Sequence, residues 1–154
     1  PYIEFYKKGD FDKEKIINNI INLPLDYEPG SKFIYSDLGM ILLYDIIEKV
    51  SSKKLENLSD NYFYKPLKMK STFFNPPSNF KKLIAPTEDD KYFRNKLLKG
   101  DVHDENAYIM GGVSGHAGLF SNAEDISSYS KMMINQGYAN GVRYFSKNII
   151  KRFS

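Results

Sequence analysis

The segment that most restricts how this chain can fold runs from Leu38 to Val50. Leu38, Ile41, Leu42, Ile46 and Val50 recur at helical spacing and cover most of a helix's circumference. The pattern therefore predicts a helix buried on more than one side. Asp37 stands where it can begin and cap that helix, and Ser51-Ser52 breaks it. Asp12 can cap an earlier helix to about Asn22, with Ile16, Ile17, Ile20 and Ile21 as its apolar stripe and Pro24 ending it. Leu55 to about Tyr64 reads as a helix stopped by Pro66. Asn122 or Ser121 caps another to about Asn135, ended by Gly137, and Ser146 caps a last one, Lys147 to Phe153. Gly141 to Phe145 suits a short strand or turn. From Lys68 to Gly100 the pattern is weak, and Pro76-Pro77 and Pro86 indicate irregular chain. Asp101 to Phe120 holds Gly111, Gly112, Gly115 and Gly118 and reads as a loop with special backbone needs. The expected fold class is mainly α, with long ordered loops and few short strands. Residues 1–154 read as a single partial domain.

Composition narrows the function. Twenty-two basic and 19 acidic side chains leave a net charge of +3. That is too mild for a nucleic-acid footprint, and no basic stripe interleaved with aromatics is present. Cysteine is absent, which excludes disulfides, Cys-ligated zinc and thiol catalysis. No stretch reaches the roughly 18 apolar residues of a membrane span, and no signal peptide is seen. The chain opens at Pro1 rather than Met, so it reads as a piece of a longer protein.

Three segments, in order, carry a resemblance. The first is Glu28-Pro-Gly-Ser-Lys-Phe-Ile-Tyr-Ser-Asp-Leu-Gly-Met40, followed by the apolar helix, Val50-Ser-Ser-Lys-Lys-Leu55 and Phe63-Tyr-Lys-Pro-Leu-Lys-Met-Lys-Ser-Thr72. The second is Ile84-Ala-Pro-Thr-Glu88 with Gly100-Asp-Val-His-Asp-Glu-Asn-Ala107. The third is Gly111-Gly-Val-Ser-Gly-His-Ala-Gly-Leu-Phe-Ser121, with Asp125-Ile126 opening the next helix. Together these resemble the serine β-lactamase and penicillin-binding-protein family, which includes class C β-lactamases, DD-carboxypeptidases and esterases. The resemblance spans about Asp26 to Phe153. It implies the helical middle section of a β-lactamase/transpeptidase-like α+β fold, whose antiparallel sheet comes mostly from other parts of the chain.

That family works by acyl transfer: a Ser in a Ser-x-x-Lys motif attacks a carbonyl and forms an acyl-enzyme. The resemblance places Tyr35 as the phenol that shuttles protons. It places Asp37 where the family has an Asn or Asp, to hydrogen-bond the catalytic Lys or the substrate amide. An ordinary phenol titrates near ~10 and is a poor base at neutral pH, so neighbouring ammonium groups would be needed to favour the phenolate. Tyr35 could otherwise be a half-buried aromatic before a helix, and Asp37 merely a cap.

The nucleophile is expected upstream of Tyr35, yet the only Ser among the 34 residues before it is Ser31, outside any Ser-x-x-Lys. The downstream matches Ser51-Ser-Lys-Lys54, Ser78-Asn-Phe-Lys81 and Ser128-Tyr-Ser-Lys131 do not open a buried helix and read as coincidences. His116-Ala117-Gly118 imitates the family's Lys/His-Thr-Gly motif, but its neighbours match the segment before the family's long helix. The chain is therefore expected to lack both motifs and to be inactive alone.

His103 and His116, with Asp104 and Glu105, do not have the one-face helical spacing of a zinc protease. They read as residues that fix the glycine-rich turn, with a substrate-facing role as the alternative. No metal or organic cofactor is expected. The expected substrates are D-Ala-D-Ala peptides of peptidoglycan, β-lactams or small esters, and the family's usual place is outside the cytoplasmic membrane. Two competing readings remain: a non-catalytic module that binds cell-wall peptides, and a metal-dependent hydrolase using His103 and His116.

Overall fold

The computed structural model describes residues 12–153, and Pro1 lies outside them. Among these residues the helices are α1 (Lys13–Ile21), α2 (Asp37–Ser51), α3 (Leu55–Ser59), α4 (Glu105–Ile109), α5 (Ala123–Ile134) and α6 (Lys147–Phe153). The strands are short: β1 (Phe73–Phe74), β2 (Glu88–Asp90), β3 (Lys96–Leu98), β4 (Leu119–Phe120), β5 (Tyr138–Ala139) and β6 (Val142–Arg143). The mainly helical class with few strands is what the sequence leads one to expect. The chain divides into two compact units, the described residues up to Leu55 with Phe74–Leu119, and Glu56–Phe73 with Phe120 onward.

In the first unit, Asp12 caps α1 by accepting hydrogen bonds from the amides of Glu14 and Lys15. Ile16, Ile17 and Ile20 then face inward, joined by Ile41 and Tyr44 of α2 and by Ile109, Met110 and Val113. Ile21, expected on the same stripe, is 59% exposed. Lys13 Nζ sits 3.9 Å from the Tyr44 ring centre and 2.7 Å from Glu48. Burial opposes charge on both Lys13 and Glu48. Their mutual bond nevertheless holds the lysine above its ordinary range and the carboxyl below its own.

The long helix departs from expectation in two respects. Its N-cap is Ser36, whose Oγ accepts from Gly39 N at 3.3 Å, and Asp37 is the first helical residue. An aspartate there still suits the positive end of the helix dipole. Burial is also one-sided: Ile41 and Tyr44 are buried, while Met40, Leu43, Ile46, Ile47 and Val50 are exposed. The apolar circumference is real, but only part of it meets other described residues.

The stretch from Lys68 to Gly100 is more ordered than its sequence suggests. Strands β2 and β3 form an antiparallel hairpin with Glu88 opposite Leu98, Asp89 opposite Leu97 and Asp90 opposite Lys96. Likewise α4 interrupts the region read as a glycine-rich loop, capped by Asp104, which accepts from Ala107 N.

The second unit packs Leu67, Met69 and Met132 together, flanked by Phe63, Tyr64, Tyr144 and Phe145. The predicted helix to Tyr64 is split: α3 gives way to a wider turn at Asp60–Tyr64, in which Lys65 N bonds Asp60 O. Asn122 caps α5, Gln136 and Gly137 end it with positive φ, and β5 and β6 form a tight hairpin. The unit is pinned by Asp125, whose Oδ2 accepts from Ser71 N at 2.7 Å and from Thr72 Oγ1 at 2.8 Å. Ser121 Oγ lies 2.8 Å from the same Thr72 hydroxyl.

Candidate functional site

Tyr35, Asp37, His103 and His116 all fall in the first unit. Tyr35 immediately precedes the capping residue of α2 and is 84% exposed. Phe33 and Ile34 beside it are exposed as well. Among the described residues no hydrogen bond or ion pair joins Tyr35 or Asp37 to either histidine.

The two histidines do different things. The His103 side chain is 56% exposed and its Nδ1 lies 3.7 Å from Glu88 Oε2, an ion pair only when the ring is protonated. The His116 side chain is 2% exposed. Its Nε2 lies 2.8 Å from Asp104 Oδ1, and its Nδ1 lies 3.0 Å from Ser114 Oγ. The bond from His116 holds the Asp104 carboxyl below its ordinary range, against the opposing effect of burial. An ionised carboxylate only accepts, so Nε2 carries a proton and donates to it. Nδ1 is then left to accept from the Ser114 hydroxyl in the neutral ring. The Ser–His–Asp chain is not an exposed nucleophile arrangement. Ser114 is 3% exposed, and the ring faces it with the nitrogen opposite to the one that serves the serine in a hydrolytic triad.

This chain of bonds continues into a buried ion pair that the sequence did not reveal. Asp90 Oδ2 accepts from Arg94 Nε at 2.7 Å, and its two oxygens also accept the amides of Tyr92, Phe93 and Arg94. The guanidinium beside Asp90 holds its carboxyl far below the usual range. Arg94 then donates Nη1 to Val102 O and Nη2 to His103 O, both at 2.8 Å. The backbone entering Asp104 is therefore fixed from one side by Arg94, and its side chain from the other by His116. The four-residue spacing of Asp90 and Arg94 resembles a helical surface pair, which is why it gave no signal; here it closes a hairpin turn.

The glycines explain how the loop fits. A Cβ built on Gly115 would overlap the Met40 carbonyl of α2 and lie 3.1 Å from Tyr44 Cβ. The loop backbone thus rests directly on the first turns of the helix that follows Tyr35, a close approach only glycine allows. A cleft of about 540 Å³ lies between α1 and α2, lined by residues including Lys13, Asp45, Glu48 and Lys49. Those four charges pair with one another, and neither Tyr35 nor either histidine lines the cleft.

Known proteins resemble this chain in sequence and in fold. The family model described as Beta-lactamase matches residues 2–151. The N-acetylmuramyl-L-alanine amidase of Bacillus subtilis (strain 168) is 39% identical over 156 aligned positions, covering 93% of this chain and 35% of the relative. A protein of Escherichia coli (strain K12) named "Putative D-alanyl-D-alanine carboxypeptidase" is 41% identical over the same length, with 93% of this chain and 36% of the relative covered. The chain thus spans about a third of the length of these curated relatives. Among solved structures, the octameric penicillin-binding protein homologue from Pyrococcus abyssi superposes with a TM-score of 0.65 at 25% identity, covering 92% of this chain and 30% of that one.

Proposed function

This chain belongs to the beta-lactamase family, and we propose that it is part of a serine acyl-transfer hydrolase acting on D-Ala-D-Ala peptides, β-lactams or small esters. The observation that carries the reading is the placement of Tyr35. It stands exposed at the entrance to α2, followed at once by the Ser36 cap and Asp37, on a helix that the Gly111–Gly118 loop abuts. In this reading Tyr35 moves the proton between the nucleophilic serine and the leaving group. Asp37 orients the lysine that makes the phenolate accessible, or the substrate amide. The serine and lysine belong to a Ser-x-x-Lys helix outside these residues, so the 154 residues alone are expected to be inactive.

Of the two histidines, the exposed His103 is suited to meet a substrate, whereas His116 has both ring nitrogens engaged inside the protein. The names of the relatives, an amidase of N-acetylmuramyl-L-alanine and a D-alanyl-D-alanine carboxypeptidase, support peptidoglycan peptides as the substrate class. A site of action outside the cytoplasmic membrane, the family's usual place, is part of the same proposal.

The test is to express the whole reading frame, treat it with a fluorophosphonate and map the labelled residue by mass spectrometry, beside Tyr35→Phe. Labelling of one serine in a Ser-x-x-Lys motif, slowed by roughly a hundredfold in the variant, is expected for a lost proton shuttle. A folded protein that takes no label, yet binds peptidoglycan peptides, would be a binding module.

A further inference from the structure

We propose that His116 is a positioning residue: it locks the Gly111–Gly118 loop against the start of α2 and so fixes the segment that carries Tyr35 and Asp37. The proposal rests on the hydrolase reading for its catalytic meaning and on geometry for its mechanics. Tyr35 and Asp37 sit at the beginning of a helix whose exposed face includes Met40 and Leu43. Leu38 and Ile41 pack the inner side of that beginning into the core, and the Gly111–Gly118 loop meets it as well. Among the described residues, the nearest atom that a Cβ at Gly115 would meet is the Met40 carbonyl oxygen, within the first turns of α2. The loop is thus a stop against the helix on that side, and what holds the loop bears on where the helix begins.

His116 is the next residue but one to Ser114 and the immediate neighbour of Gly115, and it fastens the loop at both nitrogens. Ser114 is held from within the loop and Asp104 from outside it. Asp104 is in turn tied down, because its own Oδ1 caps α4 at Ala107 N and the preceding carbonyls of Val102 and His103 are held by Arg94. Arg94 is anchored on Asp90, with both side chains almost wholly buried. Hydrogen bonds, joined through the covalent backbone from His103 to Asp104, therefore run from the β2–β3 hairpin to the loop and end in a steric contact on α2. The imidazole is the side-chain joint in it that ties Ser114, in the middle of the loop, to Asp104 at the start of α4. A buried polar joint of this kind fixes a single geometry when all its members are satisfied, and placement to a fraction of an ångström is what a proton-transfer group requires.

The experiment uses the full-length protein with His116→Ala, His116→Gln and Gly115→Ala. Hydrogen–deuterium exchange is read by peptide, and fluorophosphonate labelling is timed on the same samples. His116→Ala is expected to raise exchange about tenfold in peptides covering residues 36–44 and 111–118, with α1 and α5 unchanged. It is also expected to slow labelling by roughly tenfold or more. His116→Gln, whose amide can still reach Asp104, should recover much of both effects. Gly115→Ala should reproduce both with the histidine intact. Unchanged exchange at 36–44 in His116→Ala overturns the proposal, as does raised exchange with labelling at the wild-type rate. Exchange rising equally throughout the unit also overturns it, since that is plain destabilisation. Absence of label on the wild-type protein fails the hydrolase reading instead and removes the catalytic meaning of the joint; the exchange data still report the mechanical coupling.

Discussion

One oxygen of Asp104 serves two partners: Oδ1 lies 2.7 Å from Ala107 N, capping α4, and 2.8 Å from His116 Nε2. Replacing the carboxylate therefore removes a helix cap and strands a buried ring N–H in a single step. Asp104→Ala should cost about 2–4 kcal/mol, the sum of a lost cap and an unsatisfied donor. Asp104→Asn keeps an acceptor for both partners and should cost less. Urea unfolding of the two variants side by side checks the order, and equal losses would contradict it.

The acid side of the stability profile has a definite sign. Asp90 and Asp104 both have folded-state pKa values below their ordinary range, through Arg94 and His116 respectively. Between the folded and unfolded values the unfolded chain binds more protons, so stability rises with pH across that window. The contribution is complete above the unfolded carboxylate range near ~4 and is lost as pH falls below it. Unfolding midpoints should thus fall steeply below about pH 4, and the steepness should be reduced in Arg94→Gln. That variant should also unfold at lower temperature than Lys96→Gln, whose bond to Asp101 lies near the surface. A midpoint that is level through the acid range would count against the buried pair.

Asp125 makes a comparable pin in the second unit. Asp125→Ala leaves Ser71 N without its acceptor and the Thr72 hydroxyl with Ser121 alone, and should destabilise by about 1–3 kcal/mol. Thr72→Val removes one of the two bonds and should cost about 1–2 kcal/mol. The two changes share an interaction, so the double variant should cost less than the sum, by about 1 kcal/mol in a thermodynamic cycle.

The two sides of α2 should respond oppositely to substitution. Ile41 is 1% exposed and Ile41→Ala should cost about 2–4 kcal/mol. Val50 is 83% exposed, and Val50→Ala should stay within about 0.5 kcal/mol. In the isolated 154-residue chain, Leu43→Lys with Ile46→Glu should lower binding of a hydrophobic dye and raise solubility, because both lie on the exposed apolar side. Undiminished dye binding would locate the exposed apolar surface elsewhere.

Features set by neighbours in sequence could be read from the sequence. Asp12 caps α1, Asn122 caps α5 and Gly137 follows its end, all as their residue types indicate. The N-cap of α2 lies one residue before Asp37: Ser36 and Asp37 are both good caps, and only backbone geometry chooses between them. The β2–β3 hairpin was invisible. Its turn is organised by Asp90 and Arg94, whose partners at Val102 and His103 cannot be inferred from local spacing. The difference between the two histidines was likewise hidden. Burial of one ring and exposure of the other depend on where Asp104 and Glu88 arrive in space. Apolar periodicity located α2 but could not say which of its sides is covered.

The second unit is assembled from two stretches of chain, and this bears on how the protein is made. Leu67 and Met69 leave the ribosome long before Met132, the residue that completes their cluster. At synthesis rates of about 5–20 residues per second, several seconds pass in which these apolar side chains have Phe63 and Tyr64 beside them but lack Met132, Tyr144 and Phe145. The Ser71 amide and Thr72 hydroxyl wait equally for Asp125. A nascent chain halted before residue 125 carries an unmet apolar surface, one that a chaperone can recognise or a second nascent chain can aggregate with.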